Sequence, residues 1–541
     1  MRWSPGDLHA AMADPHAGHV IPVRRTSGSL SEGALMSVLD REAIIAPVSF
    51  NRWLIPPAAL AIHLSIGQAY AFSVFKNPLA EHFGMGEGGD VAIGWIFSLA
   101  IAMLGISSAI GGTWVERAGP RKSMVVAGTF WVVGFFVSTI GISTGQLWLV
   151  YVGYGVIGGI GLGIGYISPV STLMKWFPDR PGLATGLAIM GFGGGALIAS
   201  PASNALMSFY GGGPDNLADG ITMTFLTLAV LYLVVIAMGA FVIRLPHPDW
   251  KPQGFDPEKA TAKPMQTTGS VSANQALKTP QFWFLWVVLF TNVTAGIGIL
   301  ESASPMVQSS FGITAVAAGG YVGLLSLTNM GGRFVWSTVS DYIGRKNIYL
   351  VYLGVGAGLY VLIASLGSQS LALFVVSTLI ILSFYGGGFA TVPAYLKDLF
   401  GVYQVGAIHG RLLTAWSAAG VAGPLLVNSI VESSRAGGGE GFELYRLSLF
   451  IMAGILAVGL ISNILIRPVS EKHFADPAMV SQRREADRKA ASEAASTREQ
   501  STASAGGVHK TVALVLTVFV VASLLYGLTE TAIRAAALFA G

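Results

Sequence analysis

Thirteen runs of mainly apolar residues dominate this 541-residue chain, at about 54–76, 91–113, 122–142, 147–171, 182–208, 221–244, 281–303, 314–340, 347–367, 370–394, 406–428, 446–467 and 511–539. A helix rises about 1.5 Å per residue, so about 20 residues cross the hydrocarbon of a bilayer. Every run is long enough. With 52% of its residues hydrophobic and only 11% charged, the chain departs from any ordinary soluble domain. It is read as an all-α polytopic membrane protein.

The runs fall as six, six and one. A hydrophilic stretch at 245–280, with Pro246, Pro248, Lys251, Asp256, Glu258 and Lys259, divides the two sets. The expected plan is a disordered cytoplasmic tail over 1–50, a six-helix bundle over 51–245 and a cytoplasmic linker over 246–280. A second bundle over 281–468, a charged linker over 469–510 and an extra span over 511–541 complete it. The halves repeat. Glu116-Arg117-Ala-Gly119-Pro-Arg121-Lys122 follows the second run, and Asp341-Tyr-Ile-Gly344-Arg345-Lys346 follows the eighth, 225 residues on. Pro169, Gly182 and Gly186 recur as Pro393, Gly406 and Gly410, each 224 later. Parallel repeats place a central site at their interface near the midplane.

Loops after the even-numbered spans carry fourteen Lys and Arg residues, and the opposite loops carry three, Lys76, Arg435 and Arg446. By the positive-inside rule the N-terminus is cytoplasmic and the last residue lies outside.

The chain has no cysteine, which rules out disulfides, thiolate metal sites and a thiol nucleophile. The net charge of +4 sits in loops rather than in a basic patch interleaved with aromatics, so nucleic acid is not an expected partner. His9, His16 and His19 in the tail lack metal-site spacing. Gly155, Gly158, Gly159, Gly161, Gly163 and Gly165 mimic a nucleotide loop, but they lie inside a membrane run with no phosphate clamp after them, and close helix packing explains them. No cofactor, metal or enzymatic activity is expected.

Arg333 is the anomaly of the eighth run. It lies about 7 Å past the middle of the span, and an arginine at such depth costs about 2.5–3.5 kcal/mol on insertion scales unless it faces water or an anion. Its fork of donors fits a carboxylate. Asn329, four residues earlier, shares its face, and Gly331 and Gly332 leave room beside it. The alternative is a structural arginine held by a buried acid or by helix carbonyls. In the first run Gln68 and Tyr70 offer polar tips. His63 is a proton shuttle or a neutral histidine bonded to a neighbouring helix. Glu301, ending the seventh run, is a second candidate for proton coupling or an ordinary interfacial carboxylate. Asn292 and Tyr321 could bond a substrate or another helix.

These features resemble a major facilitator superfamily transporter. Gly112-Thr-Trp-Val-Glu116-Arg117-Ala-Gly119-Pro-Arg121-Lys122 is similar to the family's signature between its second and third helices, with Glu for Asp and an inserted Pro120, and Ser340 to Lys346 is a cleaner copy. The resemblance implies that Glu116, Arg117, Arg121, Asp341 and Arg345 belong to a gate. Arg52 to Phe75, with Asn329-xxx-Arg333, resembles the oxalate/formate antiporter family, relatives of the monocarboxylate transporters. By that resemblance Arg333 grips a substrate carboxylate and Tyr70 encloses it. Oxalate exchangers carry a lysine in the eleventh helix, and Trp416 stands in the matching segment here. One cation rather than two favours a monocarboxylate such as formate, lactate, pyruvate or glycolate over a dianion, with Trp416 as a wall. The last run resembles small single-helix proteins associated with some of these transporters, fused here to the C-terminus. The expected protein is a monomeric secondary transporter of a small organic anion in a bacterial inner membrane, with protons as candidate co-substrate. Rivals are a drug or sugar carrier and a membrane sensor.

Overall fold

The computed structural model describes residues 39–85, 89–211, 217–255, 265–499 and 504–539. The N-terminal half comprises α1 (Arg52–His82), α2 (Gly89–Ala118), α3 (Pro120–Ser143), α4 (Leu147–Trp176), α5 (Pro181–Phe209) and α6 (Leu217–Val242). The C-terminal half comprises α7 (Pro280–Phe311), α8 (Ala315–Ile343), α9 (Arg345–Gln369), α10 (Leu371–Phe400), α11 (Val405–Ala436) and α12 (Glu443–Leu465). A polar helix α13 (Pro477–Glu499) and a last apolar helix α14 (Ser504–Phe539) follow. Among the described residues twelve helices are long and apolar enough to cross a membrane, α14 included. The thirteenth, α8, is 29 residues long but falls outside that set on composition. Its polar residues include Asn329, Arg333 and Asp341, which a span carries only for a purpose.

Repeat-related glycines make the turns at the basic end. Gly119 between α2 and α3 has φ 82°, and Gly344 between α8 and α9 has φ 90°, values that cost a side-chain-bearing residue strain. In the middle of α1, Gly67–Phe75 winds as a 3₁₀ helix, a long run for that geometry. A Cβ on Gly67 would stand 2.6 Å from the carbonyl oxygen of Phe192, so backbone meets backbone between α1 and α5 here. Three residues per turn eclipse positions i and i+3, which aligns Tyr70 with Ser73. Positions 61–69 of α1 are buried, whereas Tyr70 is partly exposed and Ser73 and Asn77 are exposed.

The expectation of a loose tail over 1–50 is corrected for its last residues. Ile44 is fully buried, Ala46 N–H donates to the Leu245 carbonyl at 2.8 Å, and Leu245 N–H donates to Ile44 at 3.0 Å. The run Ile44-Ile45-Ala46 is apolar enough to dock just past the end of α6. Residues 1–38, with His9, His16 and His19, lie outside the described residues. The linker over 469–510 contains α13, which ties to the segments flanking the N-terminal half: Asp487 pairs with Arg41 before it at 2.7 Å and Arg488 with Asp249 after it at 3.2 Å.

Candidate substrate site

Arg333 lies on α8 four residues past its midpoint, about 6 Å along the axis, and is fully buried. Its Nε donates to Asn329 Oδ1 at 3.1 Å, as the four-residue spacing allows, and Nη1 donates across the half interface to the Ile189 carbonyl of α5 at 3.4 Å. The guanidinium carbon stands 5.1 Å from the centroid of Phe389 on α10. Nη2 has no hydrogen-bond partner, and no carboxylate pairs with Arg333, among the described residues. A buried cation whose neighbours are an amide, a carbonyl, a phenyl ring and neutral phenols keeps its charge uncompensated, at a desolvation cost of several kcal/mol.

Aromatic rings from both halves enclose this cation. Trp416 of α11 is central, with centroids 4.6 Å from Phe389, 5.3 Å from Tyr166 of α4, 5.3 Å from Phe192 of α5 and 6.2 Å from Tyr70. The Tyr70 and Tyr385 hydroxyls, from α1 and α10, meet at 3.2 Å. Arg333 interacts electrostatically with Tyr70 and Tyr166. Three buried donors in this cluster, Arg333 Nη2, Trp416 Nε1 and the Tyr166 hydroxyl, lack partners. A buried donor left unpaired costs about 1–3 kcal/mol, and a carboxylate has the acceptors to relieve such donors.

The structure therefore brings Arg333, Asn329, Tyr70 and Trp416 into one cluster. Gln68 turns aside, its Oε1 accepting from the Tyr154 hydroxyl at 2.9 Å. His63 stacks on Tyr166 at 5.3 Å, with Nε2 3.2 Å from the Tyr166 carbonyl and Nδ1 unpartnered. The Glu301 side chain lies outside the described residues. Tyr321 donates to Thr378 at 2.8 Å within the C-terminal half, and Asn292 Oδ1 is buried without a partner. Sequence reasoning missed Tyr166, Phe192, Tyr385 and Phe389 as walls, and missed His409, which is buried on α11 with its ring 5.9 Å from Tyr166. A signal existed for two of them: Tyr166 and Phe389 lie three and four residues before the repeated prolines Pro169 and Pro393.

At the basic end the repeated acids cap helices of the opposite half. Asp341, closing α8, accepts from Gly182 and Leu183 N–H at the start of α5, both at 2.9 Å. Glu116, closing α2, accepts from Gly406 N–H at the start of α11 at 3.2 Å and pairs with Lys175 at 2.9 Å. Carboxylates at helix N-termini meet unsatisfied N–H groups and the positive end of the dipole. Arg345 bonds Asp341 and Ser340 and reaches Asp398 at 3.3 Å. Lys397 adds a contact to the Pro178 carbonyl at 3.1 Å across the same interface. Arg121 donates to the Ala240 and Phe241 carbonyls of its own half, and Arg117 is exposed.

Two six-helix halves packed around the buried Arg333 have the architecture of a membrane transporter. The chain belongs to the Major Facilitator Superfamily, whose model matches residues 58–424. It is similar to the oxalate:formate antiporter of Oxalobacter formigenes, 26% identical over 402 residues that cover 74% of this chain and 90% of that protein. It is 23% identical over 398 residues to apicoplast pyruvate carrier 1 of Toxoplasma gondii, covering 63% and 70% of the two. Human monocarboxylate transporter 11 is 31% identical over 189 residues, 35% of this chain and 39% of that one. Among solved structures, the transporter FucP in its outward conformation aligns with TM-score 0.56 at 14% identity, over 76% of this chain and 99% of FucP, a likeness of fold.

Proposed function

We propose that this transporter exchanges small monocarboxylates, of the size of formate, glycolate, lactate or pyruvate, by rocking its two halves about the Arg333 cage. The observation that carries this is the fully buried Arg333 guanidinium, which among the described residues has neutral hydrogen-bond partners and no partner at Nη2, walled by Trp416 where a second cation would suit a dianion. Two of the relatives are carriers named for oxalate with formate and for pyruvate, which supports a carboxylate.

Exchange rather than proton symport fits the chemistry of the cation. A guanidinium stays charged at any physiological pH, so closing over it empty leaves a bare buried charge, and an anion in either direction relieves that cost. Asp341 and Glu116 act as the cytoplasmic gate, because each ties one half to a helix start of the other. The basic loops face the cytoplasm, and the partly exposed Tyr70 to Asn77 stretch of α1 faces the approach from outside.

The test is counterflow in proteoliposomes loaded and fed with labelled formate, pyruvate, lactate and oxalate. Rapid swapping of the monocarboxylates with little oxalate transport is expected, and a pH gradient alone should not accumulate pyruvate in vesicles lacking internal anion. Oxalate moving as well as formate, or no carboxylate moving at all, contradicts the proposal. Asp341→Ala removes both α5 caps, each a charge-assisted bond worth about 1.5–3 kcal/mol. Labelling of a cysteine introduced at the basic end should accelerate at least several-fold in that variant; unchanged labelling would show that the caps do not hold the gate.

A further inference from the structure

One stripe of α14 rests on the twelve-helix core. Ala513, Leu516, Val520, Thr531 and Ala535 are buried, while Leu514, Val515, Val518, Val521 and Leu525 are exposed, the period of a helix with one packed face. The stripe does not stay on one half. Near its start, Ala513, Leu516 and Val520 pack in one cluster with Ala58 and Ala61 of α1 and Val235 and Val242 of α6. Midway, Gly527 lies against the α5 backbone, where a Cβ would stand 2.8 Å from the Leu197 carbonyl oxygen. Near its end, α14 crosses to α8. A Cβ on Gly323 would stand 2.8 Å from Thr531 Cγ2, and Gly320 abuts the backbone of Arg534 and Ala535.

We infer that the groove along α1, α5, α6 and α8 is a docking surface for α14, and that α14 braces one half against the other. Its 513–527 part is seated on the N-terminal half, and its 531–535 part grips α8 at the end away from the basic loops. Small residues at Gly320, Gly323 and Gly527 let the backbones approach closely, which is how helices associate in lipid. Close-packed contacts of this kind hold or let go rather than stretch. When the halves part at that end, α14 must release α8. Gly323 is ten residues from Arg333 on the same helix, about 15 Å, so the brace acts on the helix that holds the site. This rests on the rocking of the halves, and not on which anion is carried.

The test uses the full chain and exploits the absence of native cysteine. A Cβ on Gly323 would stand 3.5 Å from Thr531 Cβ, within the range of a disulfide, so Gly323→Cys with Thr531→Cys should oxidise to a cross-link. A pair that ties α14 to the N-terminal half alone, Ala61→Cys with Leu516→Cys bridged by a short bifunctional thiol reagent, is the control. The α8 cross-link is expected to slow exchange about 5- to 150-fold, the range of typical coupling energies, with recovery on reduction, and to suppress deuterium uptake in α1 from Tyr70 to His82. The control pair should change neither, and the wedge Gly323→Trp should raise that deuterium uptake. Unchanged transport and deuterium uptake in the α8 cross-link, or equal slowing by both pairs, would overturn the brace. Deuterium uptake needs no substrate, so this result is separable from failure of the carboxylate assignment.

Discussion

Arg333→Gln should abolish carboxylate exchange and yet make the protein harder to melt. Removing one partner of a buried charge pair costs about 2–5 kcal/mol of binding, which is a 30-fold or greater loss of affinity at about 1.4 kcal/mol per decade. In the substrate-free protein the same change deletes a cation whose partners are Asn329, the Ile189 carbonyl and the Phe389 ring, and with it a desolvation penalty of several kcal/mol. Counterflow of labelled pyruvate and thermal melting of purified protein measure the two effects separately. A structural arginine predicts the reverse pattern, with lower stability and little change in transport. Arg333→Lys keeps the charge but loses the planar fork, so its exchange should fall between wild type and the glutamine variant.

Trp416→Lys should shift the proposed preference from monocarboxylates toward dicarboxylates. Trp416 touches the same Phe389 ring as Arg333, so an ammonium at that position would share the cage with the guanidinium. Two buried cations repel, and the variant should melt below wild type in the absence of ligand. Oxalate would neutralise both, and coupling energies of about 1.5–7 kcal/mol for close charge pairs correspond to a gain of about tenfold or more in its affinity. Melting curves with formate and oxalate check this directly: oxalate should stabilise the variant strongly and wild type hardly at all. If oxalate shifts both proteins equally, Trp416 does not set the charge of the substrate.

The architecture was legible because lipid leaves so few solutions. Apolar run length, loop charge and the 224-residue repeat of Pro169, Gly182 and Gly186 each report on the membrane or on the duplication. Arg333 stood out because a charge in hydrocarbon is costly whatever surrounds it. The walls were harder to read. Tyr166, Phe192, Tyr385 and Phe389 sit among many aromatics in apolar runs, and a helical period shows that a face is buried without showing whether it meets its own half or the other. The turning aside of Gln68 has a similar origin. Helix α1 tightens to 3₁₀ from Gly67 onward because the α5 backbone lies against it, a tertiary constraint that local composition does not carry. His409 escaped notice as one polar residue beside the repeated Gly410, and the docking of Ile44 to Ala46 was masked by the polar residues around it.

A density map of the carrier with a bound monocarboxylate tests the central claim most directly. One carboxylate oxygen should lie within hydrogen-bonding distance of Arg333 Nη2, with the remainder of the molecule against Trp416 and the surrounding rings. A ligand seated elsewhere while Arg333 keeps its present neutral partners, or Arg333 drawn onto an acidic side chain of the protein, would contradict the account.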